Sequence, residues 1–474
     1  MADRRPPHPP TSPPPRRPLA PRDRRRARRA ARKAAAPVLR ARPSPVDVPF
    51  LFGVLVLFCG GLVMLLSASM YAGLTQTQVE DPLFFFLRQV LFAVVGIAAA
   101  TYVAVFNLRV LDRRWVGWAF YGLSLVLLLA VLAVGRVVGG ARRWFSFGGF
   151  QLQPTEVCKI LLIVCLAIYY SHLDRRRAEG RLERRTPFGT VAYGVWAEFL
   201  APLALLLPAI ALIAMEPHFS GIAILLLTAV SMILMSGARP RSIALGFLAV
   251  AVLVGVVVLL AVAFLPALLP VLPASLQKYA NLTYVENRLA IFFHPETVSA
   301  DLKLQMLQAI QALGAGGLTG VGFGMGRQKF GYLPMSYNDY IFAIIGEELG
   351  LIGALAVLGL FLFLLFRGLR IARRSGTTFG YLLAGGSTVL LVVQALLHIG
   401  VSTNSIPPTG ISLPFFSYGG SSNLFFLAAV GIVLSVSRMP RPDNAAPAAA
   451  PTKPPRPAAP VRAPDAARRT EGRP

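Results

Sequence analysis

Of the 474 residues, 55% are hydrophobic and only 14% are charged, with a mean hydropathy of +0.61. Soluble chains carry roughly 25% charged residues, and several apolar runs here exceed the roughly 18 residues that cross a bilayer as helix. A water-soluble globular enzyme is excluded, and the composition predicts an all-α polytopic membrane protein.

The formal net charge of +26 is concentrated at the two ends. Residues 1–45 hold 14 Lys and Arg against Asp3 and Asp23, and residues 438–474 hold 8 against Asp443, Asp465 and Glu471. Both stretches are dominated by Pro, Ala and Arg, a composition that builds no core and reads as disordered tail. Beside a membrane such tails meet anionic headgroups or partner proteins rather than nucleic acid. Residues 46–437 form the membrane domain. The first apolar run is of full spanning length, so the N-terminal stretch does not read as a cleavable signal peptide. Cys59, Cys158 and Cys165 lie in apolar runs without CxxC spacing and read as helix-packing residues.

Ten hydrophobic segments follow in order, at about 48–70, 84–106, 115–135, 155–171, 198–214, 219–236, 242–266, 339–366, 379–402 and 419–437. Only Glu216-Pro217-His218 separates the fifth from the sixth. With the N-terminus inside, one face receives the Arg-rich tail, Arg109/Arg113/Arg114, Arg175–Arg177, Arg239/Arg241, the Arg367–Arg374 group and the C-terminal tail. The positive-inside rule makes that face cytoplasmic. The outer face receives 71–83, 136–153, 215–218, a large loop at 267–338, and 403–418.

Polar residues gather in three outer clusters. The first is Arg142-Arg143-Trp144, followed by Gln153-Pro154-Thr155-Glu156 and Lys159. Pro154 suits the first helical position, Glu156 favours the positive end of the helix dipole, and Lys159 shares its face. The pair reads either as a helix start with one structural ion bridge, or as a basic site where Arg142, Arg143 and Lys159 receive an anionic headgroup. Arginines outside run against the charge bias and favour the second reading.

The second cluster runs from Gln305 through the glycine-rich Gly314–Gly326 stretch to Arg327-Gln328-Lys329, Tyr332-Leu333-Pro334 and Asn338-Asp339-Tyr340. No strand precedes the glycines as a dinucleotide fingerprint requires, so close helix packing explains them better than a phosphate nest. Asp339 is either a capping acid at a helix start or the carboxylate placed to meet substrate. Glu347 and Glu348, about 12 Å deeper by helix rise, need partners inside the membrane. The third cluster, Pro407-Pro408-Thr409-Gly410 and Pro414 to Ser422, reads as irregular backbone lining a cavity. HExxH, P-loop and GxSxG motifs are missing from the sequence, and its histidines are scattered rather than spaced as ligands.

At these clusters the chain resembles the SEDS family, the FtsW, RodA and SpoVE proteins of bacterial shape, division and sporulation. The matching stretches are Ser67-Ala68-Ser69, Arg142-Arg143-Trp144, Gln153-Pro154-Thr155-Glu156 with Lys159, and Gln305-Met306-Leu307-Gln308 running into Gly314–Gly317. Tyr332-Leu333-Pro334, Asp339-Tyr340-Ile341-Phe342, Gly346-Glu347-Glu348-Leu349-Gly350 and Pro414 to Ser422 complete the set. The wording is closer to FtsW than to RodA. The chain departs from the family's pattern at His218, where Asp is common, at Asn338 in place of Thr, and at Pro408-Thr409 in place of Thr-Lys.

The resemblance implies ten transmembrane helices with a large outer loop before the eighth. It also implies a peptidoglycan glycosyltransferase polymerising lipid II, the undecaprenyl-pyrophosphate-linked disaccharide-peptide, beside a class B penicillin-binding protein and other division proteins. On it, Asp339 is the catalytic candidate, as general base or as ligand of a divalent cation such as Mg or Mn. Arg142, Arg143, Glu156, Lys159, Arg327, Gln305, Ser417 and Ser421 are the substrate-binding candidates. A lipid II flippase and a non-enzymatic divisome scaffold are the competing readings.

Overall fold

The computed structural model describes residues 44–439 apart from 78, 139–140, 148–149, 181–186, 269–289, 291 and 295–299. The two tails and most of the expected outer loop before Ala300 therefore lie outside the described residues. The helices, in order, are α1 (Val48–Gln76), α2 (Phe84–Val105), α3 (Arg114–Val134), α4 (Pro154–Ala178), α5 (Pro187–Val195), α6 (Ala201–Met215), α7 (Phe219–Met235), α8 (Pro240–Leu268), α9 (Ala300–Gly316), α10 (Ile341–Arg373), α11 (Thr378–Ser402) and α12 (Gly420–Ser437). A single π turn, Trp196–Leu200, joins α5 to α6 into one long segment.

Local chemistry fixes the helix ends. Asp47 caps α1 by accepting from the Phe50 amide at 3.1 Å, and its Oδ1 also takes the Arg367 Nε at 2.8 Å. One carboxylate thus ties the start of α1 to the far end of α10. Helix α4 has Pro154 at its start, Glu156 in its first turn and Arg175, Arg176 and Arg177 in its last, matching both poles of its dipole.

Among the described residues, eight helical segments are long and apolar enough to span a bilayer, and Phe219–Met235 and Pro240–Val256 are shorter apolar helices. The apolar windows of α4, α11 and α12 are 72–78% buried, against 22–28% for α2 and α3. The first three form the centre and the other two the rim, which explains how polar residues on α4 and α11 are tolerated. Helix α11 touches α4, α7, α10 and α12.

Three regions differ from the sequence expectation. The 136–153 connection, expected as a loop, folds into strands β1 (Arg136–Val138), β2 (Ala141–Phe147) and β3 (Phe150–Leu152), antiparallel in the order β1-β2-β3. Aromatic residues at Trp144 and Phe145 suit that pleated surface. The expected 267–338 loop contains α9, which packs on α10. Their axes meet where a Cβ on Gly316 would come within 1.9 Å of the Gly346 carbonyl.

The eighth segment is the third difference. It was expected to open at Asp339, but the helix begins at Ile341 with Tyr340 as its N-cap, and Asp339 sits in the preceding turn. The helix is then broken at Gly350, whose backbone (φ 67°, ψ −169°) is open to glycine alone. The break would leave backbone groups unpaired inside the membrane. The glycine-rich segment supplies their partners: Val321 and Gly322 donate to the carbonyls of Glu347 and Glu348 at 3.0 and 3.1 Å. The amides of Leu351 and Ile352 donate to the carbonyls of Gly317 and Leu318 at 2.9 and 3.1 Å.

A Cβ at position 350 would lie 2.3 Å from the Gly320 amide nitrogen, whereas one at Gly314 would meet nothing within 4 Å. Gly350→Ala should therefore lower the melting temperature of the detergent-purified protein markedly, by strain and overpacking together worth about 2–5 kcal/mol. Gly314→Ala should leave it unchanged or slightly raised, as differential scanning fluorimetry would read.

Candidate functional site

The start of α4 is the polar centre of the bundle. Lys159 Nζ lies 2.8 Å from Glu156 Oε1 and donates to Gln394 Oε1 on α11, also at 2.8 Å. Both ionic side chains are buried. A buried lysine is held charged only by such partners, and this one has a carboxylate and an amide. Gln394 in turn donates through Nε2 to the Ser412 carbonyl at 3.3 Å. The ion pair is thus linked to the 403–419 connection.

That connection folds inward. Leu413, Phe415, Phe416 and Ser417 are all at most 2% exposed, and the Phe415 ring packs between Phe58 of α1, Phe361 of α10 and Phe426 of α12. Its backbone is satisfied by side chains: Asn423 accepts from the Phe415 amide at 2.9 Å and donates to the Ser417 carbonyl at 3.1 Å. His398 Nδ1 lies 2.7 Å from the Ile411 carbonyl. The expected cavity wall is a buried strap covered by protein.

Asp339 meets this strap. The Ser417 hydroxyl donates to the Asn338 carbonyl at 2.7 Å and accepts from the Leu413 amide at 2.7 Å. The Tyr418 amide donates to the Tyr337 carbonyl at 2.9 Å. Gly410 passes so close that a Cβ there would sit 3.3 Å from Asp339 Oδ2. Asp339 is half-buried. Burial, then the charges of Tyr418 and Asp339, push the Tyr337 phenol above its usual range. One residue of strap, Ile411, separates the contact with Asp339 from the contact with Gln394.

The remaining sequence candidates divide. Arg143, on β2, donates from Nε to the Glu216 carbonyl at 2.9 Å and from Nη2 to that of Pro217, joining the α4 end of the site. Arg142, its neighbour in the strand, points the other way and donates to the carbonyls of Leu132 and Ala133 at the end of α3. Strand alternation separates the two arginines that adjacency in sequence had grouped. Ser417 is a brace for the Asp339 turn rather than an open hydroxyl. Ser421 is buried near the start of α12 with no hydrogen-bond partner for its hydroxyl among the described residues. Gln305, half-buried on α9, makes no side-chain hydrogen bond with another described residue.

Arg327 lies on the glycine-rich segment that closes the α10 break. Its amide, and that of Gln328, donate to the Glu347 carboxylate at 2.8 and 3.3 Å, while its guanidinium is exposed. Glu348 receives Lys329 Nζ at 2.7 Å, the Ser67 hydroxyl at 2.7 Å and the Gly324 amide at 3.0 Å. Glu347 and Glu348 are therefore spent on holding the glycine-rich segment in place.

Sequence reasoning missed Gln394, Glu216 and His218 as parts of the site. A glutamine within an apolar span announces a buried partner, and that signal was present. Glu216 was read only as part of a break between spans, and His218 as that and as a departure from the family's pattern to which no role was assigned. Glu216 accepts from the Thr155 hydroxyl at 3.1 Å, and His218 Nδ1 lies 3.4 Å from Gln153 Nε2. Burial drives the Glu216 carboxyl up to about 8, against the opposing Thr155 hydrogen bond and Arg143 charge. Burial, with Arg143 and Lys159 nearby, drives His218 down to about 3. Among the described residues no three His, Cys, Asp or Glu side chains gather as a metal cluster.

A raised carboxyl pKa stabilises the fold fully below the unfolded value and loses that contribution as pH rises through the folded one. Buried His218 works the other way, adding stability as pH rises towards its ordinary value of 6.5, so the Glu216 loss of melting temperature should show between about pH 6.5 and pH 8. Glu216→Gln, neutral at every pH, should flatten this part of the profile, as melting curves across that range would show.

The comparisons with known proteins agree with this architecture. The family model for cell cycle proteins of the FtsW, RodA and SpoVE type matches residues 48–441. The chain is 34% identical over 396 residues to a probable peptidoglycan glycosyltransferase FtsW of Geobacter metallireducens, covering 82% of this chain and 94% of that protein. It is 33% identical over 409 residues to stage V sporulation protein E of Bacillus subtilis, covering 85% and 100%. Among solved structures, a chain of a peptidoglycan synthase complex that coordinates polymerization and crosslinking superposes with a TM-score of 0.60 at 27% identity, over 83% of this chain and 98% of that one. The rod shape determining protein RodA of Thermus thermophilus superposes with a TM-score of 0.54 at 26% identity, over 83% and 97%. With a helical bundle, a broken α10 and a family match across nearly all of the described residues, the chain belongs to the FtsW/RodA/SpoVE family of cell cycle proteins.

Proposed function

We propose that this protein is a peptidoglycan glycosyltransferase that polymerises lipid II on the outer face of the cytoplasmic membrane during cell division. The observation that carries this reading is the Asp339 carboxylate, half-buried at the strap, which is itself braced through Gln394 to the buried Glu156–Lys159 pair. A single acid on a rigid support at a membrane-domain entrance suits a reaction whose acceptor is a hydroxyl and whose donor is tethered by a lipid.

In that reaction the acceptor oxygen bonds to the donor's anomeric carbon as the carbon–oxygen bond to the polyprenyl diphosphate breaks. The acceptor's proton needs a base, and Asp339 takes it. The departing diphosphate gathers negative charge, which Arg143 and the exposed Arg327 guanidinium are the cations to meet. Lys159, buried and doubly bonded, acts through the strap as a positioning residue. Among the described residues Asp339 is the carboxylate that would hold a divalent cation such as Mg²⁺ here. When bound it would supply charge stabilisation to the leaving group.

The termini and the arginine-rich connections are placed in the cytoplasm by the charge bias, which turns the Asp339 end outward. The partner is a class B penicillin-binding protein, a reading supported by the solved synthase complex that the fold resembles. A flippase would need free polar groups deep in the bundle, and the engagement of Glu347 and Glu348 with Arg327, Gln328, Lys329 and Ser67 supports polymerisation over transport.

Asp339→Asn should cut glycan synthesis from purified lipid II by at least about 100-fold while leaving the melting temperature unchanged; near-normal polymer from the folded variant would reject the assignment. Lys159→Met alone should destabilise by about 3–5 kcal/mol, because it strands Glu156. Adding Glu156→Gln should recover stability but not polymer yield. Thermal unfolding and product gels on the same preparations separate the two effects.

A further inference from the structure

Some 20 residues along α4 from Glu156, about 30 Å at helical rise, lies a second feature that the proposed reaction does not use. A cavity of about 350 Å³ opens between the first turns of α3, the last turns of α4, and the π turn joining α5 to α6. Its walls include Trp118, Tyr121 and Trp196, and its rim carries Arg114, His172 and Arg176. That volume is within the range of ligand sites, and a mostly apolar wall with a few convergent polar groups is their usual make-up.

The rim is built for an anion. Neither the Arg114 nor the Arg176 guanidinium has a hydrogen bond or ion pair with a described residue, and both are exposed. Of the neighbouring acids, Asp112 is already taken by Arg175 and by the Ser171 hydroxyl, and Glu198 of the π turn by Arg177. Helix α3 starts here with no side-chain cap on its first amides, which adds the positive pole of its dipole. His172 Nε2 is buried and has no hydrogen-bond partner among the described residues.

The body is built for a hydrocarbon. Trp118 and Trp196 are each more than half exposed at this mouth, the position where amphipathic rings sit at headgroup level. Two arginines above an aromatic trough at a bilayer boundary match an amphiphile rather than a water-soluble ion. We infer that this cavity binds an anionic glycerophospholipid, its phosphate held by Arg114 and Arg176 and one acyl chain lying between α3 and the α5–α6 segment. The lipid would fasten a rim helix, α3, to the central helix α4 from the membrane side. This site is independent of the reaction proposed above, and its test reads lipid, not polymer.

The full-length protein is purified in detergent and titrated with phosphatidylglycerol, phosphatidylcholine or inorganic phosphate, with retained lipid counted by native mass spectrometry and stability followed by melting temperature. Phosphatidylglycerol should be retained at one molecule per chain and raise the melting temperature; phosphatidylcholine and inorganic phosphate should do neither. Arg114→Gln with Arg176→Gln should lower retention at least tenfold, while its melting temperature without added lipid matches the parent's. Leu205→Trp, which fills the cavity and leaves the charges in place, should lower retention equally. Equal retention of the two lipids, a shift produced by inorganic phosphate alone, or parent-like binding by either variant overturns the assignment.

Discussion

Backbone amides and carbonyls inside a membrane must find partners within the protein, and the interior of this bundle is organised around that requirement. Two irregular segments enter it. The glycine-rich segment pairs its amides and carbonyls with the groups freed by the break at Gly350, and the 403–419 strap borrows side chains from Asn423, His398, Ser417 and Gln394. These polar side chains, which hydropathy marks as costly, satisfy backbone that could not otherwise be there. Non-helical chain in turn is what brings a carboxylate to the bundle entrance at a fixed position.

Buried charge follows the same logic. Glu156 with Lys159, and Glu348 with Lys329, are desolvated pairs whose net contribution to stability is small against an apolar replacement. Their value lies in direction. Each cation bonds a third group, Gln394 in one case and Ser67 with the Gly324 carbonyl in the other, so each pair fixes one irregular segment to the regular helices. The strap then carries that order to Asp339 through Ser412 and Gly410, and the glycine-rich segment presents Arg327. The candidate site is a small set of residues on hydrogen-bonded supports buried within the bundle.

The two ends of α4 illustrate how far local sequence reaches. At one end, Pro154, Glu156 and Lys159 were readable as a helix start with an ion pair, because those contacts depend on spacing along one helix. The identity of the third partner was not readable, since Gln394 lies 235 residues away. At the other end, the arginines were read as topology markers. Their convergence with two tryptophans on a cavity depends on how α3, α4 and the π turn pack.

The sequence by itself determined the membrane class, the positions of the apolar segments and the residues that match the family, because hydropathy and motif order are properties of the chain alone. Tertiary structure decided which candidates work together. It turned Arg142 away from Arg143 through strand alternation, withdrew Ser417 into a brace, set Asp339 ahead of its helix rather than inside it, and broke α10 at Gly350. Those outcomes depend on partners distant in sequence, whose hydrogen bonds exist only once the helices have packed.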